Sequence, residues 1–295
     1  MSVLVTGGTG FVGPKVVHAL RAAQRPVRVL ARKPEKQERL RAWGCEVVPG
    51  DMADPDSLRR AVEGCDAVVH LVALPPFSGD DAVDRVMVAG TNELVSAAEK
   101  AAVGRFVLMS ALGTSAETKD VAPYYRGKWA MEERLKGSPL AHTVFRPSFV
   151  FGRDGGILEG LIRATRFSPV TPVLGTRKLQ PIWVDDVATF FATALDLGEK
   201  ANGTWELAGP DVVGWGELAD RVRRILGKRR LLLRVPSGLL KAGAVAAEPL
   251  PPLRGARAAV RMLEHSDNVT DIAPAVEAFG IHPISLDEQL RRAVT

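Results

Sequence analysis

Short apolar runs alternate with amphipathic stretches along the first two thirds of the chain. After a first run that begins at Val3, strands are predicted at Val27–Ala31, Glu46–Val48, Ala67–Leu71, Phe106–Ser110 and His142–Arg146. Helical periodicity separates them, near residues 11–23, 34–43, 55–63, 82–101 and 124–136. This alternation predicts an α/β fold, a doubly wound parallel sheet of the Rossmann type. Such sheets bind ligands outside the carboxyl ends of their strands, so the residues that follow each strand are the candidate site residues.

The regular alternation fades after residue 150, which predicts a second, smaller lobe. A Pro-containing connection is expected at Ser168–Pro172. The first pattern returns with a helix at Asp185–Leu197 and a strand at Thr204–Leu207, and the chain then leaves it through Trp215–Leu226. We therefore predict a dinucleotide-binding domain at residues 1–150 and 179–208, and a discontinuous C-terminal substrate lobe at residues 151–178 and 209–295.

The first predicted strand runs directly into a glycine-rich turn. Gly7, Gly10 and Gly13 have the spacing of a dinucleotide-binding turn, and an apolar helix face follows them. Without Cβ atoms the backbone turns tightly and approaches a pyrophosphate, while the next helix presents its amino end to the phosphates. An ordinary glycine-rich turn requires neither feature. The predicted cofactor-binding residues here are Gly7, Thr9, Gly10, Phe11, Val12 and Gly13.

Two cations follow the second predicted strand, where an NAD-binding fold commonly has an acidic residue for the ribose 2′-hydroxyl. The guanidinium of Arg32, helped by Lys33, can hold a 2′-phosphate through paired hydrogen bonds. The pair therefore predicts NADP(H) in preference to NAD(H). A solvated charge cluster at a helix start is the alternative interpretation.

Further cofactor contacts are predicted after the third and fourth strands. Asp51 and Met52 are expected near the adenine, although Asp51 is equally well explained as a turn residue. Small side chains are expected beside the cofactor backbone, and the candidates are Leu71, Val72 and Ala73. His70 is expected to be packed in the interior and not to act in catalysis.

Tyr124 and Lys128 stand one helical turn apart at the head of the predicted helix 124–136. Residues at i and i+4 share a face, so the ammonium is expected to favour the phenolate and to lower the tyrosine pKa from about 10. That pair suits the proton transfer that accompanies a hydride transfer. Ser110, after the fifth strand, is the candidate hydroxyl that polarises the substrate, with Thr114 as its substitute.

Five motifs occur in a characteristic order, namely residues 6–13, Gly50-Asp51, Tyr124 with Lys128, residues 146–152 and residues 180–188. With them the chain resembles the extended and atypical short-chain dehydrogenase/reductases. It is most similar to the atypical branch that includes the nucleotide-binding accessory subunit of respiratory complex I and its bacterial relatives. The resemblance implies that Tyr124 exchanges the proton and that Lys128 also holds the nicotinamide ribose. It further implies that a short segment closes over the nicotinamide, formed by Pro147, Ser148 and Phe149.

Many extended members carry two or three consecutive hydroxyl residues after the fifth strand, whereas here Ala111 and Leu112 follow Ser110. We expect an NADP(H)-dependent oxidoreductase that acts on a carbonyl, an alcohol or a related small molecule. Because the substrate-polarising hydroxyl is in question, a non-catalytic NAD(P)H-binding accessory or regulatory protein remains open. A sugar-nucleotide epimerase or dehydratase is the second alternative.

The charge balance changes the expected partners only slightly. The net charge of the 295-residue chain is +5, but its cations are scattered among 34 acids, which argues against a nucleic-acid partner. The basic run Lys228, Arg229, Arg230 and Arg234 could attract an anionic substrate or bring the protein into peripheral contact with a membrane. The apolar stretch Pro236–Leu253 could line a pocket or a partner surface, although core packing explains it better.

Cysteine usage and hydropathy indicate an intracellular protein. Cys45 and Cys65 lack metal-ligand spacing, so we expect two reduced thiols and no metal site. A signal peptide is not expected before the first strand, and no apolar run reaches the length of about eighteen residues that a membrane span needs. The expected location is cytoplasmic, and the expected oligomeric state, monomer or homodimer, is left open.

Overall fold

The computed structural model of the protein describes residues 1–76, 78–153, 155–173, 175–247 and 256–294. Its strands, in sequence order, are β1 (Val3–Thr6), β2 (Val27–Ala31), β3 (Glu46–Pro49), β4 (Ala67–His70), β5 (Arg105–Met109), β6 (His142–Pro147), β7 (Val150–Phe151), β8 (Val170–Val173), β9 (Lys178–Leu179), β10 (Ile182–Trp183), β11 (Gly203–Leu207), β12 (Val213–Gly214) and β13 (Leu231–Arg234). Seven of them form one parallel sheet in the order β11-β6-β5-β4-β1-β2-β3. The predicted doubly wound sheet is thereby confirmed.

The central strands are apolar because helices cover both faces of the sheet. Every residue of β1 and of β4 is buried, and β1 pairs with β2 on one side and with β4 on the other. A strand buried on both faces is expected to show a continuous apolar run instead of alternation. This is why the predicted strands agree with the observed ones to within a residue or two at each end.

The helices that the structure describes are α1 (Gly13–Ala22), α2 (Glu38–Ala42), α3 (Pro55–Val62), α4 (Asp80–Ala82), α5 (Gly90–Lys100), α6 (Pro123–Lys136), α7 (Gly156–Phe167), α8 (Val184–Leu197), α9 (Trp215–Ile225), α10 (Ser237–Ala247), α11 (Ala256–His265), α12 (Ala273–Phe279) and α13 (Leu286–Val294). The predicted helix 34–43 is divided into a 3₁₀ turn at Pro34–Lys36 and α2. The predicted helix 82–101 begins with α4, passes through a π-helical segment at Val83–Ala89 and ends as α5.

Beyond residue 150 the described residues form three two-stranded pairs, β7 with β10, β9 with β12 and β8 with β13. The connection predicted at Ser168–Pro172 is wrong, because Val170–Val173 is the strand β8. Pro172 lacks an N–H donor, but β8 pairs with β13 alone among the described strands, and an edge strand tolerates proline. Of the apolar stretch Pro236–Leu253, residues 237–247 form α10 and residues 248–253 lie outside the described residues.

An aromatic cluster joins the edge of the sheet to the C-terminal helices. The ring of Phe145 on β6 lies 4.9 Å from that of Phe191 and 6.0 Å from that of Phe190, both on α8. It also lies 5.4 Å from the ring of Phe279 on α12, which in turn contacts Trp205 at 5.3 Å. Aromatic pairs at such distances add to the free energy gained from burial.

We predict that Phe145→Ala lowers the free energy of unfolding by about 3–5 kcal/mol, because the truncation leaves a cavity beside the rings of α8 and α12. Phe167→Ala is the matched control, since that ring is 79% exposed and its truncation creates no cavity. Urea unfolding measures both changes. A similar loss in the two variants would contradict a role of the cluster in joining sheet and C-terminal helices.

Candidate functional site

The glycine turn between β1 and α1 packs against the residues that follow β4. Gly7 has φ +76°, and a Cβ built there would stand 2.9 Å from both the carbonyl carbon of Leu71 and the amide nitrogen of Val72. A Cβ on Gly13 would meet the carbonyl oxygen of Gly7 at 2.3 Å. Only glycine satisfies both positions, so the backbone reaches the end of the neighbouring strand without a side chain in the way.

The amino end of α1 is suited to an anion. No side-chain group caps it and its first turn holds no acidic residue, so the positive end of the helix dipole is available to a phosphate. Pro14 has no N–H, and the N–H groups of Lys15 and Val16 donate to the carbonyl oxygen of Val12. Thr9 and Gly10 are exposed beside it, whereas Val12 is buried in the core. The residues of the turn therefore fit a dinucleotide pyrophosphate.

Phe11 connects the glycine turn to Gly152 and Gly155, which follow β7. A Cβ on Gly152 would come within 2.8 Å of the Phe11 ring, and one on Gly155 within 2.7 Å. The ring also lines the large cavity described below. Phe11 therefore packs between the turn and these two glycines, a position that the glycine spacing alone does not reveal.

The predicted 2′-phosphate residues follow β2 at the carboxyl edge of the sheet. Arg32 and Lys33 are both exposed, and neither forms an ion pair with any residue that the structure describes. Their charges are therefore free to meet an anionic ligand.

The residues predicted near the adenine have structural contacts of their own. The Asp51 carboxylate accepts a hydrogen bond of 2.9 Å from the backbone N–H of Ala53, which is the turn role that the sequence left open. Met52 is 7% exposed, and a Cβ on Gly90 would lie 2.7 Å from its carbonyl oxygen. After β4, Leu71 is buried, Val72 is half-buried and Ala73 is exposed.

Lys128 is fully buried at the carboxyl ends of β4 and β5. Its Nζ donates to the carbonyl oxygen of Met109 at 2.6 Å and to that of Val72 at 3.3 Å. The same nitrogen lies 5.9 Å from the centroid of the Tyr124 ring. The structure therefore brings together the tyrosine and lysine that the helical spacing predicted to share a face.

A glycine allows α6 to pack closely against the π-helical segment Val83–Ala89. A Cβ on Gly127 would stand 2.8 Å from Cγ1 of Val83 and 3.0 Å from Cε of Met87, both in the π-helical segment. A larger residue would push α6 away from that segment. Gly127 thus sets the depth to which the next residue, Lys128, can reach.

Burial dominates the electrostatics of the pair. It lowers the pKa of Lys128 to about 7, although the nearby Glu132 carboxylate opposes the shift. It raises the pKa of Tyr124 well above its usual value, with a smaller contribution from Tyr125. The prediction that Lys128 lowers the pKa of Tyr124 is therefore wrong in this structure, because burial raises that pKa and Tyr125 adds to the rise. The phenol is protonated at neutral pH and can donate a proton.

Ser110 is held by a buried ion pair that sequence reasoning did not identify. Its hydroxyl donates to the Glu132 carboxylate at 2.5 Å and lies 3.5 Å from the Thr114 hydroxyl. Arg146 binds the same carboxylate through two hydrogen bonds of 2.9 and 2.6 Å. A signal is present in the spacing, because Glu132 follows Lys128 by four residues on α6 and continues its face.

A cavity of about 600 Å³ lies beside Tyr124, with Ser110 in its wall. The predicted residues Pro147, Ser148 and Phe149 line it, and the Ser148 hydroxyl is occupied by a short hydrogen bond to the carbonyl oxygen of Gln180. Most of the remaining wall is apolar and comes from both parts of the protein, for example Met109, Leu112, Ile157, Trp215, Met262 and Leu263.

Three further polar residues also reach the cavity, and the sequence did not indicate them. Arg177 and Lys178 are exposed at its wall, and Arg177 donates through Nε to the carbonyl oxygen of Glu264. Asn268 accepts a hydrogen bond of 3.2 Å from the backbone N–H of Phe149. Asn268 lies 119 positions from its partner in the sequence, so periodicity could not have brought it to the site.

His70 is buried beneath the cleft, as the sequence indicated. Its Nδ1 lies 2.6 Å from the Thr6 hydroxyl, and its Nε2 lies 3.0 Å from that of Thr91. Burial, together with the positive charge of Lys128, lowers its pKa to about 3. The imidazole is therefore neutral at pH 7 and joins β1, β4 and α5 as a hydrogen-bonded core residue.

Metal and membrane features are both missing from the residues that the structure describes. No group of His, Cys, Asp and Glu among them could hold a metal ion. Of the helices they form, none combines the length and the hydropathy that crossing a bilayer requires.

Comparisons with known proteins agree with this geometry. A family model described as NAD(P)H-binding matches residues 7–196. The chain is 30% identical over 284 residues to a ceramide reductase of Caulobacter vibrioides, covering 93% of this chain and 88% of the relative. It is 31% identical to the mitochondrial NADH dehydrogenase (ubiquinone) 1 alpha subcomplex subunit 9 of Arabidopsis thaliana, over 81% of this chain and 61% of the relative. This confirms the predicted resemblance.

Among solved structures, the triphenylmethane reductase of Citrobacter sp. complexed with NADP(H) has the same fold. The TM-score is 0.79 at 21% sequence identity, covering 99% of this chain and 100% of that one. A similarity at this level of identity concerns the fold.

We predict that acid weakens the fold partly through His70. In the unfolded chain His70 binds a proton below a pH of about 6.5, whereas in the folded protein its pKa is about 3. The free energy of unfolding therefore decreases as the pH falls from about 6.5 to about 3. Between about pH 7 and pH 4 the stability advantage of the wild type over His70→Gln should narrow by roughly 3 kcal/mol. Urea unfolding at a series of pH values tests this, and parallel curves for the two proteins would contradict it.

Proposed function

The chain belongs to the NAD(P)H-binding family, and from that premise we propose that it is an NADP(H)-dependent reductase of an apolar carbonyl compound or a related small molecule. The observation that carries the proposal is Tyr124, which stands in the wall of an apolar cavity with the Lys128 amine beside its ring. In this proposal residues 1–150 and 179–208 hold the cofactor. Residues 151–178 and 209–295 supply the substrate walls.

The glycine turn and the amino end of α1 are assigned to the pyrophosphate, and Arg32 with Lys33 to the 2′-phosphate. Bound NADPH would supply the hydride. Lys128 is assigned to the nicotinamide ribose, because its amine is fixed at the carboxyl edge of the sheet by two carbonyl oxygens and still has one donor to offer. Pro147, Ser148 and Phe149 are assigned to the nicotinamide side of the cavity.

Tyr124 is the proposed proton donor to the carbonyl oxygen. Its raised pKa keeps the phenol protonated near neutral pH, which suits reduction better than oxidation. The positive charge of Lys128 near the ring would stabilise the phenolate that remains after the transfer. For Ser110 to polarise the substrate, its hydroxyl must exchange the hydrogen bond to Glu132 for one to the substrate oxygen.

The wall chemistry favours an apolar substrate over a sugar nucleotide. The cavity is lined mainly by aliphatic, aromatic and thioether side chains, with cations only at Arg177 and Lys178 among the described residues. The reductase from Caulobacter vibrioides, whose name indicates a lipid substrate, is similar over nearly the whole sequence. Both observations support reduction of an apolar compound.

One observation favours a second candidate, a nucleotide-binding accessory protein. The Ser110 hydroxyl is committed to Glu132, and a substrate carbonyl would then lack a preorganised donor worth about 3 kcal/mol of transition-state stabilisation. The similarity to a complex I subunit fits the same interpretation. The two candidates differ in turnover and agree in nucleotide binding.

We predict that Tyr124→Phe lowers the kcat of NADPH-dependent reduction by about a hundredfold or more, because the general acid is lost. The dissociation constant for NADPH, measured by fluorescence titration, should change by less than about threefold. A panel of apolar ketones, aldehydes, quinones and azo dyes serves as substrates.

Tyr125→Phe is the matched control for this variant. Its hydroxyl lies in the same cavity wall but donates, at 3.5 Å, to the carbonyl oxygen of Leu112. The control should retain most of the turnover. Equal rates for Tyr124→Phe and the wild type would overturn the reductase mechanism, and NADPH binding without turnover by the wild type would favour the accessory protein.

We also predict that Arg32→Ala weakens NADPH binding about tenfold and leaves NADH binding nearly unchanged, because only NADPH carries the 2′-phosphate. Lys36→Ala, in the 3₁₀ turn that follows, removes the same charge farther from β2 and should preserve the preference. Fluorescence titration with both nucleotides checks the pair. An unchanged ratio of the two affinities in Arg32→Ala would refute the assignment.

A further inference from the structure

The cations of the protein are less evenly distributed than the overall balance implies. Residues 160–184 and 221–247 together contain 12 of the 39 Lys and Arg residues and none of the 34 acids. These two stretches lie far apart in the sequence. The pairing of β8 with β13 brings them side by side in the lobe.

The same two stretches expose apolar side chains. Of eight large hydrophobic residues that are exposed among the described ones, five belong to them. Phe167 is 79% exposed, Leu231 is 76% exposed and Leu233 is 52% exposed. Scattered exposed apolar residues are normal, but a cluster of this kind marks an interaction surface.

Strand register places these residues together. Leu231 pairs with Val170, and Phe167 ends α7 three positions before that residue. Leu231 and Leu233 lie on one face of β13, whereas Leu232 between them packs against the core. We call the surface formed by Phe167, Leu231 and Leu233, with Arg166, Lys228, Arg229 and Arg234 around it, the lobe patch.

The cations of the lobe patch form no ion pairs with the described residues of the protein. Arg166, Lys228, Arg229 and Arg234 are exposed and have no ion-pair partner among the described residues. The acids that immediately precede the two stretches are already engaged, Glu159 with Arg163, and Asp220 with Arg223 and Arg224. The patch therefore keeps its positive charge.

We propose that the lobe patch docks the protein on the surface of an anionic phospholipid bilayer. Exposed Phe and Leu side chains that insert between headgroups, surrounded by Lys and Arg that meet phosphate, are the combination that interfacial binding requires. Charge complementarity selects this occupant over a second copy, because two copies would bring like charges together. A nucleic acid would satisfy the cations but leave the leucines uncovered.

The test is cosedimentation of the full-length protein with vesicles of phosphatidylcholine alone and with about one third phosphatidylglycerol. The wild type should bind the anionic vesicles and not the neutral ones. Phe167→Ser with Leu231→Ser, and separately Arg229→Glu with Arg234→Glu, should each weaken partitioning about tenfold or more. NADPH titration and thermal unfolding of each variant verify that it is folded.

Two controls make the outcome specific. Arg60→Glu with Lys100→Glu makes the same charge change at exposed residues of α3 and α5, and Val212→Ser removes an apolar side chain that is 43% exposed elsewhere. Both should bind within about twofold of the wild type. No binding of the wild type to anionic vesicles, or an equal loss in the charge control, would overturn the proposal. So would a dimer in light scattering that Leu231→Ser dissociates, since the occupant would then be a second copy.

Discussion

The amine of Lys128 lies in the interior at the carboxyl edge of the sheet, where water does not solvate it. Two carbonyl oxygens replace the water, those of Val72 after β4 and Met109 in β5. Since these carbonyls lie at the ends of adjacent strands, the lysine reaches both only if α6 lies over the edge of the sheet. Gly127 lets α6 pack closely against the π-helical segment, and Tyr124 lies one turn before Lys128 on the same helix. The positions of Lys128 and Tyr124 therefore depend on the geometry of the sheet.

A second buried charge lies one turn farther along the same helix. The fully buried Glu132 carboxylate would be strongly destabilising alone, but Arg146 binds both of its oxygens and Ser110 donates to one of them. Arg146 also lies 3.8 Å from Glu206 on β11. The cavity wall at Ser110 is thus connected through ion pairs to the far edge of the sheet. The Ser110 hydroxyl is part of this network. Its hydrogen bond is therefore satisfied within the protein, although Ala111 and Leu112 after it carry no hydroxyl.

The sheet and the glycine turn could be predicted because each leaves a local signal, a continuous apolar run in one case and spaced glycines in the other. The ion pair between Glu132 and Arg146 could not be predicted, because it joins a helix to a strand 14 positions away and helical spacing says nothing about such a partner. Pro172 conceals β8, since a proline normally argues against a strand. The direction of the pKa shift of Tyr124 could not be predicted from the sequence, for a related reason. Helical spacing reveals the neighbour Lys128, but the desolvation that dominates depends on the surrounding fold.

The proposed acid–base pair and much of the cavity wall come from different parts of the chain. Tyr124 and Lys128 depend on strands of the seven-stranded sheet, whereas many of the wall residues follow residue 155. The C-terminal residues are held at the site by hydrogen bonds between side chains and backbone, since Asn268 accepts from Phe149 and Gln180 binds both Gly209 and Thr270. Such bonds hold the segments in place without depending on the identity of the wall residues. A change of a wall residue therefore leaves the relative positions of Tyr124 and Lys128 intact.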